Sequence, residues 1–234
     1  MKIAAVIPAY NEQDAIRFVV ESINKTSRET GIPVIPIVVD DASTDDTIAS
    51  LNETSCVVLS LPVNLGIGGA VQTGFQYARE LDFTHVIQVD GDGQHPPEAI
   101  PAMVRKMEEM DWDVIIGSRF LDKDGFRSST LRRMGIRWFA FLNNVLTGYS
   151  IKDSTSGFRL VNRRAMEIIA ENYPDDYPEP EAVILYARHK LKVGEIPVQM
   201  KARRGGTSSI DSFQAFYYMW KVTLGVLFSR IRKN

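Results

Sequence analysis

The chain is poor in the residues that build disulfide-stapled or thiolate-clipped folds. Its 234 residues include one cysteine, Cys56, and three histidines. One thiol forms neither an internal disulfide nor a multi-thiolate metal site, so the fold does not depend on an oxidising compartment and a reducing cytoplasm is the expected setting. Aromatics at 9% and charged residues at 24% are ordinary values that exclude collagen-like, low-complexity and disordered chains. Long hydrophobic runs are also missing. The uncharged stretch 54–78 is interrupted by Pro62, Asn64 and several glycines, and the apolar stretch 213–228 is broken by Lys221. Residues 3–7 run straight into Pro8, too short for a signal peptide, so no export is expected.

What is present suffices for one substantial core, since 44% of the side chains are hydrophobic. The net charge of −2 hides an asymmetry. From Lys201 onward seven basic residues face one acid, Asp211, a local charge of +6. The preceding 200 residues carry 20 basic and 28 acidic groups, a charge of −8. A basic, aromatic tail on an acidic body fits an anionic membrane surface, with a solvated helix face as the plain alternative. Nucleic acid fits less well, because the basic residues are interleaved with apolar ones.

Hydrophobic periodicity predicts strands at 2–8, 34–40, 57–61, 85–90 and 114–117, alternating with helices at 12–26, 44–52, 68–81 and 96–110. That order predicts a mostly parallel sheet flanked by helices. Helices at 131–148, 163–172 and 181–190, a strand at 193–200 and a last helix from Asp211 follow. The expected division is one α/β domain over 1–210 and an amphipathic helix over 211–234.

Polar residues collect after the predicted strands, the edge where open α/β sheets bind ligands. Asp90-Gly91-Asp92 places two carboxylates on one short loop, where they can approach a hard divalent cation such as Mg²⁺ or Mn²⁺. Asp40 and Asp41 end another strand. Ser43, Thr44, Asp45 and Asp46 are read as capping the next helix, and Asp41 as binding ligand through its acceptor-only carboxylate. Residues 64–70 form a glycine-rich turn opening a helix, whose amides could meet a phosphate. The turn lacks both the Gly-Lys-Ser/Thr ending of a P-loop and the full Gly-x-Gly-x-x-Gly pattern, and no serine-hydrolase elbow occurs.

Ile7-Pro8-Ala9-Tyr10-Asn11-Glu12, Val39-Asp40-Asp41-Ala42-Ser43-Thr44-Asp45, Asn64-Leu65-Gly66, Asp90-Gly91-Asp92-Gly93-Gln94-His95-Pro96-Pro97-Glu98, Gly117-Ser118-Arg119 and Ser156-Gly157-Phe158-Arg159 follow one another in that order. Together they closely resemble family 2 glycosyltransferases, in particular the branch of dolichyl-phosphate mannose synthase and related polyprenyl-phosphate sugar transferases. The resemblance runs to about Ser209. It implies a GT-A fold, a nucleotide diphosphate sugar donor, Mg²⁺ or Mn²⁺, and inversion at the anomeric carbon. By the same resemblance Pro8, Tyr10, Glu12 and Asp41 hold the nucleoside, with Asn64, Gly66, Asp90 and Gly91 also donor-binding. Asp90, Asp92 and Gln94 take metal and diphosphate, and Arg119 and Arg159 are phosphate or sugar contacts. Arg203, Arg204 and Ser208 match a late Arg-x-x-Gly-x-Ser loop that closes over donor and acceptor phosphates. Ser209 stands where relatives often carry lysine, one positive charge fewer, and Arg204 is placed to compensate.

For the acceptor step, Glu181, beside Glu179, is the first candidate base and Asp153 the second, with helix capping or an arginine pair as their structural alternatives. A sugar hydroxyl needs such a base, whereas a lipid phosphate is already an anion. Apolar and aromatic residues at helical spacing in the last helix (Phe213, Phe216, Tyr217, Trp220, Leu224) and in 131–146 (Trp138, Phe139, Phe141), with nearby lysines and arginines, suggest a peripheral helix on anionic lipid or an oligomer contact. The resulting expectation is sugar transfer to polyprenyl phosphate at the cytoplasmic face of the membrane. Extension of a lipid-linked saccharide and a non-catalytic nucleotide-sugar-binding subunit are the alternatives.

Overall fold

A computed structural model describes residues 1–121, 130–174, 178–202 and 223, with the side chains of 130–133 outside the description. Its strands are β1 (Ile3–Ala9), β2 (Val34–Asp40), β3 (Val57–Ser60), β4 (His85–Gln88), β5 (Val114–Ser118), β6 (Arg159–Asn162) and β7 (Val193–Pro197). Helices are α1 (Ile16–Thr30), α2 (Gly66–Glu80), α3 (Ile100–Met110), α4 (Thr130–Thr147), α5 (Arg163–Asn172) and α6 (Pro178–Arg188). The strands form one sheet in the order β3-β2-β1-β4-β6-β5-β7. All neighbours pair in parallel except β6, which is antiparallel to both β4 and β5.

Burial on both faces explains the near-continuous apolar strands. In β1, Ala4 and Val6 face one core with α2, α5 and α6, while Ile3, Ala5 and Ile7 face the other with α1 and α3. Helix α1 presents Ile16, Val19, Val20 and Ile23 to the sheet at helical spacing. Each such side chain contributes about 1.5–3 kcal/mol on full burial. Helix α2 lies close over β1 because Gly74 has no side chain: a Cβ there would stand 2.4 Å from Val6 Cγ1.

Three departures from the sequence reading have physical causes. Residues 44–52 do not form the expected helix, only a short 3₁₀ turn at Ala49–Leu51. Their backbone is engaged by the turn after β1: the Thr44 amide donates to Asn11 Oδ1 at 2.8 Å and the Asp46 amide to Gln13 Oε1 at 3.0 Å. In return, the amides of Asn11 and Glu12 donate to Ser43 Oγ and Thr47 Oγ1. The Ser43–Asp46 cluster therefore joins two loops instead of capping a helix, and it delays α1 from Glu12 to Ile16. Strand β6 was not foreseen, because its four residues hold two apolar side chains and lead straight into α5. Helix α6 starts at Pro178, three residues early, since prolines fit a first turn whose amides need no intrahelical partner. The proposed amphipathic helix 211–234 lies outside the described residues, apart from Thr223, whose Oγ1 accepts from Trp138 Nε1 at 3.2 Å.

Candidate active site

The polar segments converge on one edge of the sheet. The carboxyl ends of β1, β2, β4 and β5 reach it, and so does the segment before β6, because β6 runs the opposite way. The chain entering α6 closes the far side: Arg159 Nη2 donates to the Glu179 carbonyl at 2.8 Å.

On the β1–β2 side, the loop pair 11–13 and 43–47 sets Tyr10 half out in solvent. Asp41 is buried, and its two carboxylate oxygens accept the amides of Leu65 at 2.7 Å and Gly66 at 2.9 Å. The residue read as a ligand contact thus caps α2 from another segment. Asn64 Nδ2 reinforces it by donating to the Asp41 carbonyl. Gly91 packs against the Pro8 carbonyl and Glu12, so the first-strand turn and the Asp-x-Asp loop are neighbours.

That loop is folded on itself. The Gln94 amide donates to Asp92 Oδ1 at 2.9 Å, and Lys201 donates its amide to the Gln94 carbonyl at 2.9 Å. The chain thus leaves the Asp-x-Asp loop's side just before Arg203, Arg204 and Ser208, which lie outside the described residues. His95, given no role from sequence, is buried, and its Nδ1 accepts the Asp90 amide at 2.9 Å. Burial lowers the imidazole's pKa to about 4, with Asp92 opposing that shift.

Opposite, Asp153 is completely buried and engaged by Arg119, whose amide, Nε and Nη2 donate to it at 3.0, 2.8 and 2.7 Å. Burial disfavours the charge on Arg119, but bonding to Asp153 outweighs it and holds the guanidinium pKa above its ordinary value. Glu195, missed in the sequence, accepts the amides of Lys152 and Asp153 from β7, and burial raises its carboxyl. Arg159 is 2% exposed and donates to the carbonyls of Ser154, Ser156 and Glu179 and to the Tyr186 hydroxyl. It ties the 153–159 segment to α6 from below. Gly157 is a glycine because the segment presses on the Asp-x-Asp loop: a Cβ would lie 2.9 Å from Gln88 Nε2 and 3.2 Å from Asp90 Oδ1.

Glu179 and Glu181 are about 200° apart around α6 and so occupy opposite faces. Glu179 is half-buried; desolvation raises its carboxyl, Arg159 lowers it and the charge of Asp90 adds to the rise. Glu179, the neighbour of the sequence candidate Glu181, thus has Arg159 and Asp90 among its electrostatic neighbours.

Asp90 and Asp92 supply hard oxygen donors, and no group of three or more His, Cys, Asp or Glu residues able to hold a metal occurs among the described residues. This donor set fits a cation that leaves positions open to phosphate oxygens and water, as Mg²⁺ does.

Comparison with known proteins agrees with this architecture. Residues 4–169 match the model of Glycosyl transferase family 2. The chain is 27% identical to a UDP-N-acetylglucosamine–dolichyl-phosphate N-acetylglucosaminyltransferase of Methanococcus voltae, over 94% of this chain and 95% of that one. It is 26% identical to an undecaprenyl-phosphate mannosyltransferase of Micrococcus luteus, over 90% and 88%. The fold is similar to that of glucosyl-3-phosphoglycerate synthase from Mycobacterium tuberculosis, solved with Mn²⁺, uridine diphosphate and glucosyl-3-phosphoglycerate. The TM-score is 0.75 at 20% identity, covering 98% of this chain and 79% of that one.

Proposed function

Because the chain belongs to glycosyl transferase family 2, and so is a glycosyltransferase using a nucleotide-sugar donor, we propose that it transfers a sugar with inversion onto polyprenyl phosphate. The oxygen of the lipid phosphate forms the bond to the anomeric carbon as the bond to the nucleoside diphosphate breaks. In this reading Pro8, Tyr10 and Glu12 line the nucleoside site, and Asp41 holds the amino end of α2 beside it. Asp90, Asp92 and Gln94 would hold the divalent ion, Mg²⁺ or Mn²⁺, whose chemistry is to offset the negative charge growing on the leaving diphosphate. Relatives in two organisms, matched over nearly their whole length, are named for polyprenyl-type phosphate acceptors.

The observation that carries the acceptor class is the pairing of Asp153 with Arg119. The Asp153 carboxylate is fully buried and taken up by three hydrogen bonds from Arg119, so it is not presented to an acceptor hydroxyl, and a phosphate nucleophile needs no base. One observation favours the second reading, extension of a lipid-linked saccharide: the raised Glu179 carboxyl, beside Arg159, is suited to take a proton from a sugar hydroxyl.

No described helix is long and apolar enough to cross a membrane. Helix α4 exposes Met134, Trp138, Phe141 and Val145 along one face, together with Arg137. We assign that face to the surface of an anionic bilayer, where a lipid acceptor resides.

A transfer assay tests the reading. The chain is given Mg²⁺ or Mn²⁺, uridine, guanosine and thymidine diphosphate sugars, and undecaprenyl phosphate beside a lipid-linked saccharide. Sugar on the bare lipid phosphate is expected and names the donor. Transfer only to the saccharide overturns the acceptor class and makes Glu179 the base to test.

A further inference from the structure

Strand β4 ends at Gln88, and the last sheet-like bond beyond it is from the Val89 amide to the Val6 carbonyl. The next amide, that of Asp90, leaves the sheet just where the chain must turn to present its carboxylate. Its acceptor comes from five residues ahead: His95 Nδ1, at 2.9 Å. The other ring nitrogen, Nε2, stands 3.4 Å from Asp90 Oδ2, so a single imidazole spans both the backbone and the side chain of Asp90. The ring has little freedom to move. It is 6% exposed and packs on Phe158 with centroids 5.0 Å apart. Gly157 brings the 153–159 backbone against the same carboxylate.

We propose that His95 is a positioning residue of the Asp-x-Asp loop: by accepting the Asp90 amide at Nδ1 it fixes where the Asp90 carboxylate points. Phe158 sits next to Gly157, so the histidine also couples the loop to the segment packed behind it. The inference rests on the reading of Asp90 and Asp92 as the metal and diphosphate site. Outer-shell partners of this kind change metal affinity about 10–100-fold when removed.

The test uses the whole chain and Mn²⁺, with free ion followed by electron paramagnetic resonance, first alone and then with uridine or guanosine diphosphate. His95→Phe and His95→Leu keep apolar packing on Phe158 and remove the acceptor. His95→Asn keeps an acceptor oxygen close to the position of Nδ1. The expected result is Mn²⁺ binding about 10–100-fold weaker in the Phe and Leu variants, largely restored in the Asn variant. Hydrogen exchange at the Asp90 amide accelerates in the first two, at far-UV circular dichroism matching the unsubstituted chain. Unchanged Mn²⁺ affinity in a folded Phe or Leu variant overturns the proposal. So does an equal loss in all three variants, which assigns the effect to ring packing. An unsubstituted chain that binds no Mn²⁺ under any of these conditions removes the proposal together with the metal site. Binding of Mn²⁺ with diphosphate, but no transfer to polyprenyl phosphate, overturns the acceptor reading alone and leaves the role of His95 to be read from the same titrations.

Discussion

Replacing Asp153 with alanine distinguishes a catalytic base from a buried counter-ion. Arg119 and Asp153 approach to 2.7 Å with side chains 10% and 0% exposed. At an effective permittivity of about 20, two unit charges at that distance attract by about 6 kcal/mol. Desolvation of both groups offsets much of this, so the pair adds little net stability relative to a well-packed apolar pair. Removing one member is different, because the guanidinium then stays buried without a counter-charge, which costs about 3–5 kcal/mol. The Arg119 amide also loses its acceptor. Asp153→Ala should therefore lower the urea midpoint by that free energy divided by an unchanged slope, and the chain should lose activity together with its stability. Asp153→Asn, which keeps the shape and one acceptor oxygen, should fall between the two. An unchanged midpoint in Asp153→Ala would refute the counter-ion reasoning. A fully stable Asp153→Asn with turnover reduced about 10²–10⁴-fold, and the acidic limb gone from its pH profile, would return Asp153 to the role of base.

Asp92→Ala should abolish metal-dependent transfer while lowering stability by about 1.5–3 kcal/mol, the worth of a hydrogen bond from the Gln94 amide to a charged carboxylate; normal turnover would remove Asp92 from the metal site. Burial raises the Glu179 carboxyl above its ordinary 4.5, so its contribution to stability is complete below 4.5 and is lost as pH rises through the raised value. Glu179→Gln should flatten that decline in urea midpoints measured against pH, and an unaltered profile would contradict the assigned burial. Phe141→Glu places a charge on the exposed face of α4 and should weaken sedimentation with anionic vesicles without altering soluble donor hydrolysis; undiminished binding would detach α4 from the membrane.

The layered fold was legible because its strands carry near-continuous apolar runs and most of its helices a helical pattern, as in β1 and α1. Where reading failed, the deciding partners were distant in sequence. Ser43, Thr44, Asp45 and Asp46 are the residue types that cap helices, and only the turn at Asn11–Gln13, more than thirty positions earlier, diverts them into a loop clasp. Asp90 and Asp92 stood out because they follow an apolar strand at the edge where open α/β sheets bind ligands, within the string of residues that carries the family resemblance. His95 lay in the same string of residues, but a single histidine carries no local mark of the amide it will accept. Arg119 is read as a phosphate or sugar contact by resemblance, and its pairing with Asp153, 34 residues on, has no local mark in the sequence.

Arg159 shows how topology decides what a charged residue does. Within β6 it pairs with Gln88 on one side and Ile116 on the other, and the alternation of a strand sends its side chain inward, to the Ser154 and Glu179 carbonyls. A slip of one residue in that register would turn the guanidinium to the opposite face of the sheet, into the core of Ile87, Ile115 and Leu160. The antiparallel insertion of β6 thus does two things at once. It brings the 153–157 segment to the ligand-binding edge, and it places beneath that segment a buried cation whose donors hold it in shape. An exposed arginine at the same position could contact phosphate but could not hold Gly157 against Asp90. The positive charge at position 159 therefore organises the backbone of the 153–157 segment.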